Sequence, residues 1–262
     1  MQINSEILQE TGVKIEDYIQ DFRCFSANDV YVDLWFKSIG LIFSQFSELV
    51  NKNDFSIEIE NVESYASESN NLYFQCFSKY GSDKGSHAYH ILYNWIFNQI
   101  NVKNLLEIGL GTNNINLVSN MGSGGRPGAS LRAFRELSTD TQIYGADIDR
   151  DILFNEDRIS TFYVDQLDRE SFKNLPKIKY DLIIDDGLHQ IGANFNTLLW
   201  ALENINDGGF IVIEDISTII QWNTISYILK QNKSFDCHFI KCARSHVFLV
   251  KKNLIIGEKI SY

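Results

Sequence analysis

Two short apolar segments of the chain end directly in side chains that can bind a metal or move a proton. The first is residues 182–184, Leu-Ile-Ile, and the second is residues 210–213, Phe-Ile-Val-Ile. The acidic and imidazole side chains that follow them are Asp185, Asp186, His189, Glu214 and Asp215. An apolar run that stops abruptly in polar residues is typical of a buried parallel strand where it reaches a ligand site.

We expect the two segments to be neighbouring parallel strands, ~4.8 Å apart, whose carboxyl ends share one edge of a sheet. Asp186, Glu214 and Asp215 would then converge. Carboxylates held this close repel each other and raise each other's pKa unless a cation neutralises them, so the sequence predicts a metal site. Oxygen ligands favour Mg²⁺, with Mn²⁺ or Ca²⁺ as alternatives, over zinc. The competing interpretation of Glu214 and Asp215 is a pair of carboxylates that caps the following helix.

A glycine turn and two further strand ends predict a nucleoside site at the same edge. One predicted strand runs into Gly109 and Gly111, and glycines let a backbone approach a ligand closely. The next strand ends at Asp147, whose carboxylate is placed to accept hydrogen bonds from both ribose hydroxyls. A third ends before Asp165 and Gln166, a pair suited to the base and the ribose. The alternative is an α/β domain whose acids only cap helices.

The order of the predicted elements indicates the α/β fold class, with a Rossmann-like, doubly wound, seven-stranded sheet that is mostly parallel. The last two strands, residues 235–242 and 246–251, are too close in sequence for a crossover helix and must form an antiparallel C-terminal hairpin. We expect residues 76–262 to form this main domain and residues 1–75 to form a mainly helical N-terminal extension.

The extension contains a predicted helix with apolar positions from Val32 to Leu49 and a short predicted strand at residues 54–60. The apolar face of the helix is wide enough to need a partner. That partner is either the main domain, as a lid, or a second copy of the chain in a homo-oligomer, and periodicity alone leaves both open.

The composition argues against several classes of partner. The chain has 262 residues and a formal net charge of −11, which disfavours a nucleic-acid or anionic-membrane surface because phosphates need clustered Lys and Arg. Its four cysteines contain no CxxC pair, which indicates neither a zinc knuckle nor a disulfide framework. Since no apolar stretch has membrane-spanning length and the N-terminus lacks a signal-peptide pattern, we expect a cytoplasmic protein without a membrane span.

Several short motifs occur together in one known family. They are residues 80–84 (Tyr-Gly-Ser-Asp-Lys), 107–112 (Glu-Ile-Gly-Leu-Gly-Thr), 120–122, 127–131, 165–166 (Asp-Gln), 186–189 (Asp-Gly-Leu-His) and 214–215 (Glu-Asp). Through them the chain resembles class I S-adenosylmethionine-dependent methyltransferases. More narrowly, it resembles the metal-dependent sugar O-methyltransferases of macrolide biosynthesis, of the mycinamicin and macrocin type, with a more distant likeness to the cephalosporin hydroxylases.

The resemblance implies S-adenosylmethionine and Mg²⁺ as cofactors. It makes Asp186 a metal ligand and His189 the general base, with Glu214 and Asp215 completing the metal site. The candidate donor-binding residues are Tyr80, Ser82, Glu107, Gly109, Ser130, Asp147, Asp165, Gln166 and Asp185. Leu188 stands where the family pattern leads us to expect a small polar residue, a difference that concerns the acceptor rather than the metal.

We therefore expect a Mg²⁺-dependent O-methyltransferase that acts on a hydroxyl of a sugar or glycan acceptor, such as a natural product, a nucleotide sugar or a polysaccharide precursor, or on a phosphate-like oxygen. A cation would orient two adjacent acceptor oxygens, and His189 would remove the proton. His189 could instead be a structural loop histidine. The alternative functions are a metal-dependent hydroxylase of the cephalosporin hydroxylase type, a nicotinamide oxidoreductase and a non-catalytic nucleoside-binding subunit.

Overall fold

The computed structural model describes Ser38 and residues 57–216, 219–231 and 233–254. Within these residues nine strands form a single sheet. They are β1 (Ile59–Asn61), β2 (Asn104–Ile108), β3 (Gln142–Asp147), β4 (Asn155–Glu156), β5 (Ile159–Tyr163), β6 (Tyr180–Asp185), β7 (Ile205–Ile216), β8 (Phe235–Lys241) and β9 (His246–Lys252). Their order across the sheet is β1-β8-β9-β7-β6-β2-β3-β5-β4.

Helices cover both faces of this sheet in the described part of the chain. They are α1 (Asn70–Tyr80), α2 (Tyr89–Gln99), α3 (Ala129–Leu137), α4 (Ile191–Asn204) and α5 (Ile219–Gln231), with short 3-10 helices at Val62–Tyr65, Arg150–Ile152 and Arg169–Asn174. Side chains of α1, α2 and α3 join one hydrophobic core, and side chains of α4 and α5 join the other. None of these helices is both long and apolar enough to cross a bilayer.

The predicted α/β class and the antiparallel C-terminal hairpin are confirmed. β8 and β9 pair antiparallel, and β9 lies between β7 and β8. β6 and β7 are parallel neighbours, as the acid-terminated segments predicted. The sheet has nine strands rather than seven because two short strands, β1 of three residues and β4 of two residues, join its edges.

Predictions for the N-terminal extension fall mostly outside the described residues. This is true of the helix from Val32 to Leu49 and of the first part of the strand predicted at residues 54–60. Residues 57–75 contain β1, a 3-10 helix and the start of α1, and the predicted domain boundary at residue 75 falls inside α1. The division into two domains and the homo-oligomer remain predictions.

The continuous apolar runs of the central strands reflect burial on both faces. Successive side chains of a strand point to opposite sides, so Leu105 of β2 joins the core under α1 to α3, whereas Leu106 joins the core under α4 and α5. In β6, Leu182 and Ile184 face the first core and Ile183 the second. Because β3, β2, β6 and β7 are parallel neighbours, their carboxyl ends lie together at one edge of the sheet.

The end of α1 sets the path of the loop that reaches that edge. Gly81 follows the helix with a left-handed φ of 84°, and its N–H donates to the carbonyls of Phe77 and Ser78. The N–H of Ser82 also donates to Phe77, at 2.9 Å. This glycine-based helix ending directs the chain out of α1. Residues 82–88 then form the loop that leads to the start of α2.

Phe134 tests the packing that holds the three helices of the first core. Its ring lies 5.2 Å from the rings of Phe77 and Tyr93, and the side chain is fully buried. We expect Phe134→Ala to lower the free energy of unfolding by ~3–5 kcal/mol in chemical denaturation, because it opens a cavity that aromatic neighbours cannot fill. Leu72→Ala, at a 60% exposed position of α1, should stay within about 0.5 kcal/mol. Equal losses would contradict the packing described.

Candidate active site

A cavity of about 350 Å³ opens at the carboxyl edge of the sheet, where open α/β folds bind their ligands. Residues that follow β2, β3, β5 and β6 line it, together with Asp215 of β7, residues 81–83 and the segment between residues 116 and 121. The sequence-predicted site residues in this lining are Ser82, Gly109, Ser130, Asp147, Asp165, Gln166, Asp186, His189 and Asp215.

Gly109 lets the turns after β2 and β6 cross in close contact. Its φ is 98°, and a Cβ at this position would lie 2.0 Å from the carbonyl oxygen of Asp186. The Gly109 N–H donates to Ala146 at 2.8 Å, and the Asp186 N–H donates to Ile108 at 2.8 Å. Only a residue without a side chain fits where the two turns cross. The crossing fixes the position of the Asp186 backbone relative to the turn after β2.

Asp147, the predicted ribose acceptor, also holds the glycine turn. Its carboxylate accepts backbone hydrogen bonds from Leu110 at 2.7 Å and from Asp149 at 2.8 Å. Burial raises the pKa of Asp147 above its ordinary value, and the two N–H donors oppose that shift. The carboxylate still lines the cavity, with one hydrogen bond accepted by each oxygen.

Gln166 organises the turn after β6 from the neighbouring strand end. Its Nε2 donates to Asp185 Oδ1 and to Thr197 Oγ1, both at 2.8 Å, and its Oε1 accepts from the N–H of Leu188 at 2.8 Å. A Cβ on Gly187 would lie 2.2 Å from this Oε1, so the close approach requires a glycine. Asp185 is fully buried, and burial raises the pKa of its carboxyl.

The ammonium group of Lys84 lies among three carboxylates that come from three different strand ends. Its Nζ is 2.7 Å from Asp186 Oδ2, 2.7 Å from Glu214 Oε2 and 3.0 Å from Glu107 Oε1. Burial alone would lower the pKa of Lys84, but the three carboxylates raise it well above its ordinary value. Two of the three acids predicted to share a metal, Asp186 and Glu214, therefore meet at a lysine, together with Glu107, which was not part of that predicted set.

Two tyrosines from one face of α2 complete the hydrogen bonding behind the cavity. Tyr89 and Tyr93 are one helical turn apart, so their side chains project in the same direction. The Tyr93 hydroxyl donates to Glu214 Oε1, and the Tyr89 hydroxyl donates to Asp215 Oδ1 at 2.7 Å. The ring centroid of Tyr89 lies 6.0 Å from the Nζ of Lys84, and that of Tyr93 lies 5.8 Å from it. Through these two hydrogen bonds, α2 contacts the consecutive acids Glu214 and Asp215 of β7.

Asp186, His189 and Asp215 form a cluster whose donor atoms suit a divalent cation. One ligand atom from each residue lies within 4.8 Å of the other two. The Nε2 of His189 is 3.9 Å from Asp186 Oδ1 and 3.9 Å from Asp215 Oδ2. All three side chains are partly exposed to the cavity. Two carboxylate oxygens and an imidazole nitrogen are a donor set that metal sites use.

Two residues of this cluster have an unusual backbone conformation. His189 and Asp215 adopt left-handed φ values of 56° and 53°, which non-glycine residues rarely do and which tend to occur at functional sites. Burial alone would raise the pKa of Asp215, but the His189 imidazole and hydrogen bonds from Tyr89 and Ser245 bring it below its ordinary value.

Four predicted site residues do not line the cavity, for identifiable reasons. Glu214, predicted as a metal ligand, is 1% exposed because its carboxylate turns inward to Lys84 and Tyr93. Glu107 is buried beside the same lysine. Asp185 points to the α4 side of the sheet, and the Tyr80 hydroxyl donates to Glu136 at 2.7 Å on the outer surface.

Sequence reasoning gave no role to Lys84, Tyr89 or Tyr93. Lys84 lies in a polar segment of the sequence, and its composition does not distinguish a buried lysine from one in a solvent-exposed loop. Its partners Asp186 and Glu214 are 102 and 130 residues away in the chain, so no local pattern connects them. Tyr89 and Tyr93 lie on one helix, but helical spacing does not identify the groups that the two hydroxyls contact.

Curated relatives match part of the chain. It is 31% identical over 148 residues to the 8-demethyl-8-alpha-L-rhamnosyl tetracenomycin-C 2'-O-methyltransferase of Streptomyces olivaceus, a match of 53% of this chain and 36% of the relative. It is 38% identical over 94 residues to the mycinamicin VI 2''-O-methyltransferase of Micromonospora griseorubida, which covers 35% of this chain and 23% of the relative. The chain thus spans less than half the length of these relatives. No protein-family model matches the sequence.

Solved structures share the architecture. The MycE methyltransferase of the mycinamycin biosynthetic pathway, crystallised with Mg and SAH, superposes with a TM-score of 0.55 at 22% identity over 72% of this chain and 57% of that chain. A second MycE structure, with Mg, SAH and mycinamycin VI, gives a TM-score of 0.54 at 21% identity, again over 72% of this chain and 57% of that chain. The fold is that of a class I methyltransferase. In this methyltransferase fold, the cavity lies at the carboxyl edge formed by β2, β3, β5 and β6.

Gly109 allows a direct test of the crossing in this methyltransferase fold. Gly109→Ala places a methyl group against the Asp186 carbonyl, whereas Gly122, also left-handed at φ 70°, has no atom within 4 Å of its added Cβ. Both substitutions carry the backbone penalty, so their difference isolates the clash. We expect Gly109→Ala to lower the free energy of unfolding by about 1–3 kcal/mol more than Gly122→Ala in chemical denaturation. Equal values would show that the two turns are not in contact.

Proposed function

We propose that the chain is a divalent-cation-dependent O-methyltransferase that uses S-adenosylmethionine and acts on a hydroxyl of a sugar or glycan acceptor. The observation that carries the proposal is that the cluster of Asp186, His189 and Asp215 lines the same cavity as Gly109 and Asp147. A proton acceptor and acidic ligands thus border a nucleoside-type pocket. The O-methyltransferase names of the curated relatives, and the Mg and SAH in the MycE crystals, support the same chemistry.

For the methyl donor, the proposal assigns the residues at the ends of β2, β3 and β5. Gly109 leaves room for the ligand beside the backbone, and each oxygen of Asp147 retains a lone pair for a ribose hydroxyl. Asp165 lines the cavity while one of its oxygens accepts from the N–H of Leu167 at 2.9 Å. Ser82, Ser130 and Gln166 complete the lining. Glu107 and Asp185 would act from behind the cavity, whereas Tyr80, whose hydroxyl donates to Glu136 on the outer surface, has no part in the proposed donor site.

For the cation, the proposal assigns Asp186 and Asp215, whose carboxylates are partly exposed and hydrogen-bonded on their inner sides. Mg²⁺ is the proposed ion, with Mn²⁺ or Ca²⁺ as alternatives. Glu214 holds Lys84 instead of the ion. A bound cation supplies Lewis acidity that lowers the pKa of an acceptor hydroxyl, and S-adenosylmethionine supplies a methyl group that is already activated. The chain's own residues must orient the acceptor and accept its proton.

His189 is the proposed proton acceptor. Its Nε2 is the ring nitrogen that faces Asp186 and Asp215, at 3.9 Å from each. Asp186 and Asp215 are the proposed ligands of the cation, so Nε2 lies beside the place where the acceptor hydroxyl would be held and can take its proton. The other ring nitrogen is buried, so the proton moves at Nε2. The left-handed backbone of His189 turns the ring toward the cavity.

Methyl transfer can be tested with and without the cation. Purified protein, S-adenosylmethionine and a panel of nucleotide sugars and glycosides should yield a product heavier by one methyl group in mass spectrometry. EDTA should abolish the reaction, and added Mg²⁺ should restore it, because the proposed site needs a cation to activate the hydroxyl. Unchanged turnover in EDTA would exclude the cation-dependent mechanism. Failure to bind SAH in calorimetry would exclude the methyltransferase assignment itself.

The roles of Asp215 and His189 can be separated by comparing binding with turnover. Asp215→Asn should weaken Mn²⁺ binding by at least about tenfold, because a ligand loses its charge. His189→Gln should leave Mn²⁺ affinity within about twofold and lower kcat by ~10²–10⁴, the usual effect of removing a general base. Electron paramagnetic resonance titration measures the first quantity and an acceptor assay the second.

The matched control for His189→Gln is His238→Gln, which changes a partly exposed histidine on β8. It should leave both Mn²⁺ affinity and kcat unchanged. If His189→Gln weakens Mn²⁺ binding as strongly as Asp215→Asn does, His189 is a third ligand and the proton acceptor must be sought elsewhere.

A further inference from the structure

We propose that Lys84 is a positioning residue of this reaction: its ammonium group fixes the carboxylate of Asp186 and ties the loop on one wall of the cavity to the ends of β2, β6 and β7. The inference rests on the proposed function, because Asp186 is a proposed ligand of the cation. Lys84 itself is 1% exposed and does not line the cavity, so it would contact neither the methyl donor nor the acceptor.

The two oxygens of Asp186 have different surroundings. Oδ2 lies 2.7 Å from the Nζ of Lys84, and Oδ1 lies 3.9 Å from the Nε2 of His189. Rotation of the carboxylate would break a charge-assisted hydrogen bond and leave the buried ammonium group of Lys84 with one partner fewer. Lys84 therefore presents a single, fixed oxygen of Asp186 to the cluster.

The contact with Asp186 exceeds what neutralisation requires. Glu107 and Glu214 are 0% and 1% exposed, so they need a buried cation. The side chain of Asp186 is 23% exposed and water could solvate it. Lys84 nevertheless reaches it at a distance equal to that of its contact with Glu214. Lys84 thus links Glu107 and Glu214, which do not line the cavity, to Asp186, which does.

The same side chain anchors a wall of the cavity. Gly81, Ser82 and Asp83 belong to the cavity lining, and Lys84 is the next residue in the chain. The carbonyl of Lys84 accepts the N–H of His90 at 3.2 Å, which joins the loop to the start of α2. A buried charge held by three partners cannot leave without leaving those partners unpaired, so the loop stays against the strand ends.

Two variants that differ only at Lys84 test this inference. Lys84→Met alone leaves Glu107 and Glu214 unpaired in the interior and is expected to unfold the protein. The informative pair is therefore the double variant Glu107→Gln/Glu214→Gln, in which the lysine is no longer needed for neutralisation, and the triple variant that adds Lys84→Met. Both are first checked for cooperative thermal unfolding. Lys79→Met is the control, because Lys79 is exposed, pairs with Glu136 on the surface and precedes the same loop.

The readouts are Mn²⁺ affinity by electron paramagnetic resonance and SAH affinity by calorimetry. We expect the triple variant to bind Mn²⁺ ~10–100-fold more weakly than the double variant, the usual effect of losing a group that orients a metal ligand. SAH binding should weaken as well, and Lys79→Met should match the wild type in both.

Equal or tighter Mn²⁺ binding by the triple variant would overturn the inference, because a lysine that only neutralises charge is dispensable once Glu107 and Glu214 are uncharged. Weaker SAH binding with unchanged Mn²⁺ binding would overturn it too, since Asp186 would not depend on Lys84. If the wild type binds neither Mn²⁺ nor SAH, the proposed function fails together with the inference. If it binds both and the two variants do not differ, only the inference fails.

Discussion

One buried ammonium group, that of Lys84, holds together the part of the molecule where chemistry can occur. An unpaired charge in a protein interior is strongly unfavourable, so this lysine can be buried only together with its carboxylate partners. The carboxylates come from the ends of β2, β6 and β7, and the lysine comes from the loop before α2. The ion pairs therefore set the relative positions of three strands, one loop and the cavity they enclose.

The acids at the sheet edge divide into an inner and an outer group. Glu107 and Glu214 face inward, where Lys84 and the Tyr93 hydroxyl satisfy them. Asp186 and Asp215 face outward, each with one oxygen held from behind and the other near His189. This division leaves an excess of negative charge at the cavity wall, which is the electrostatic condition for recruiting a divalent cation.

The class I methyltransferase fold accounts for the cavity but does not determine the acceptor of the proposed reaction. Folds of this type host many reactions, and specificity comes from the loops at the carboxyl edge. Here those loops bring apolar side chains to the cavity, among them Leu117, Val118, Met121 and Leu188. The curated relatives extend well beyond the part that this chain matches. The residues that recognise the acceptor are therefore best sought in these loops and not in the shared sheet.

The sequence by itself determined the α/β class, the parallel pairing of β6 with β7 and the C-terminal hairpin, and it predicted that acids follow the strands at one edge. These follow from periodicity and connection length, which are local properties. Tertiary structure decided which acid of each adjacent pair faces the cavity, Asp186 rather than Asp185 and Asp215 rather than Glu214. It also decided that a lysine 102 residues from Asp186 lies beside it. Neighbouring residues at a strand end point to opposite sides, and the partners that select a side come from distant parts of the chain, so local sequence carries no record of them.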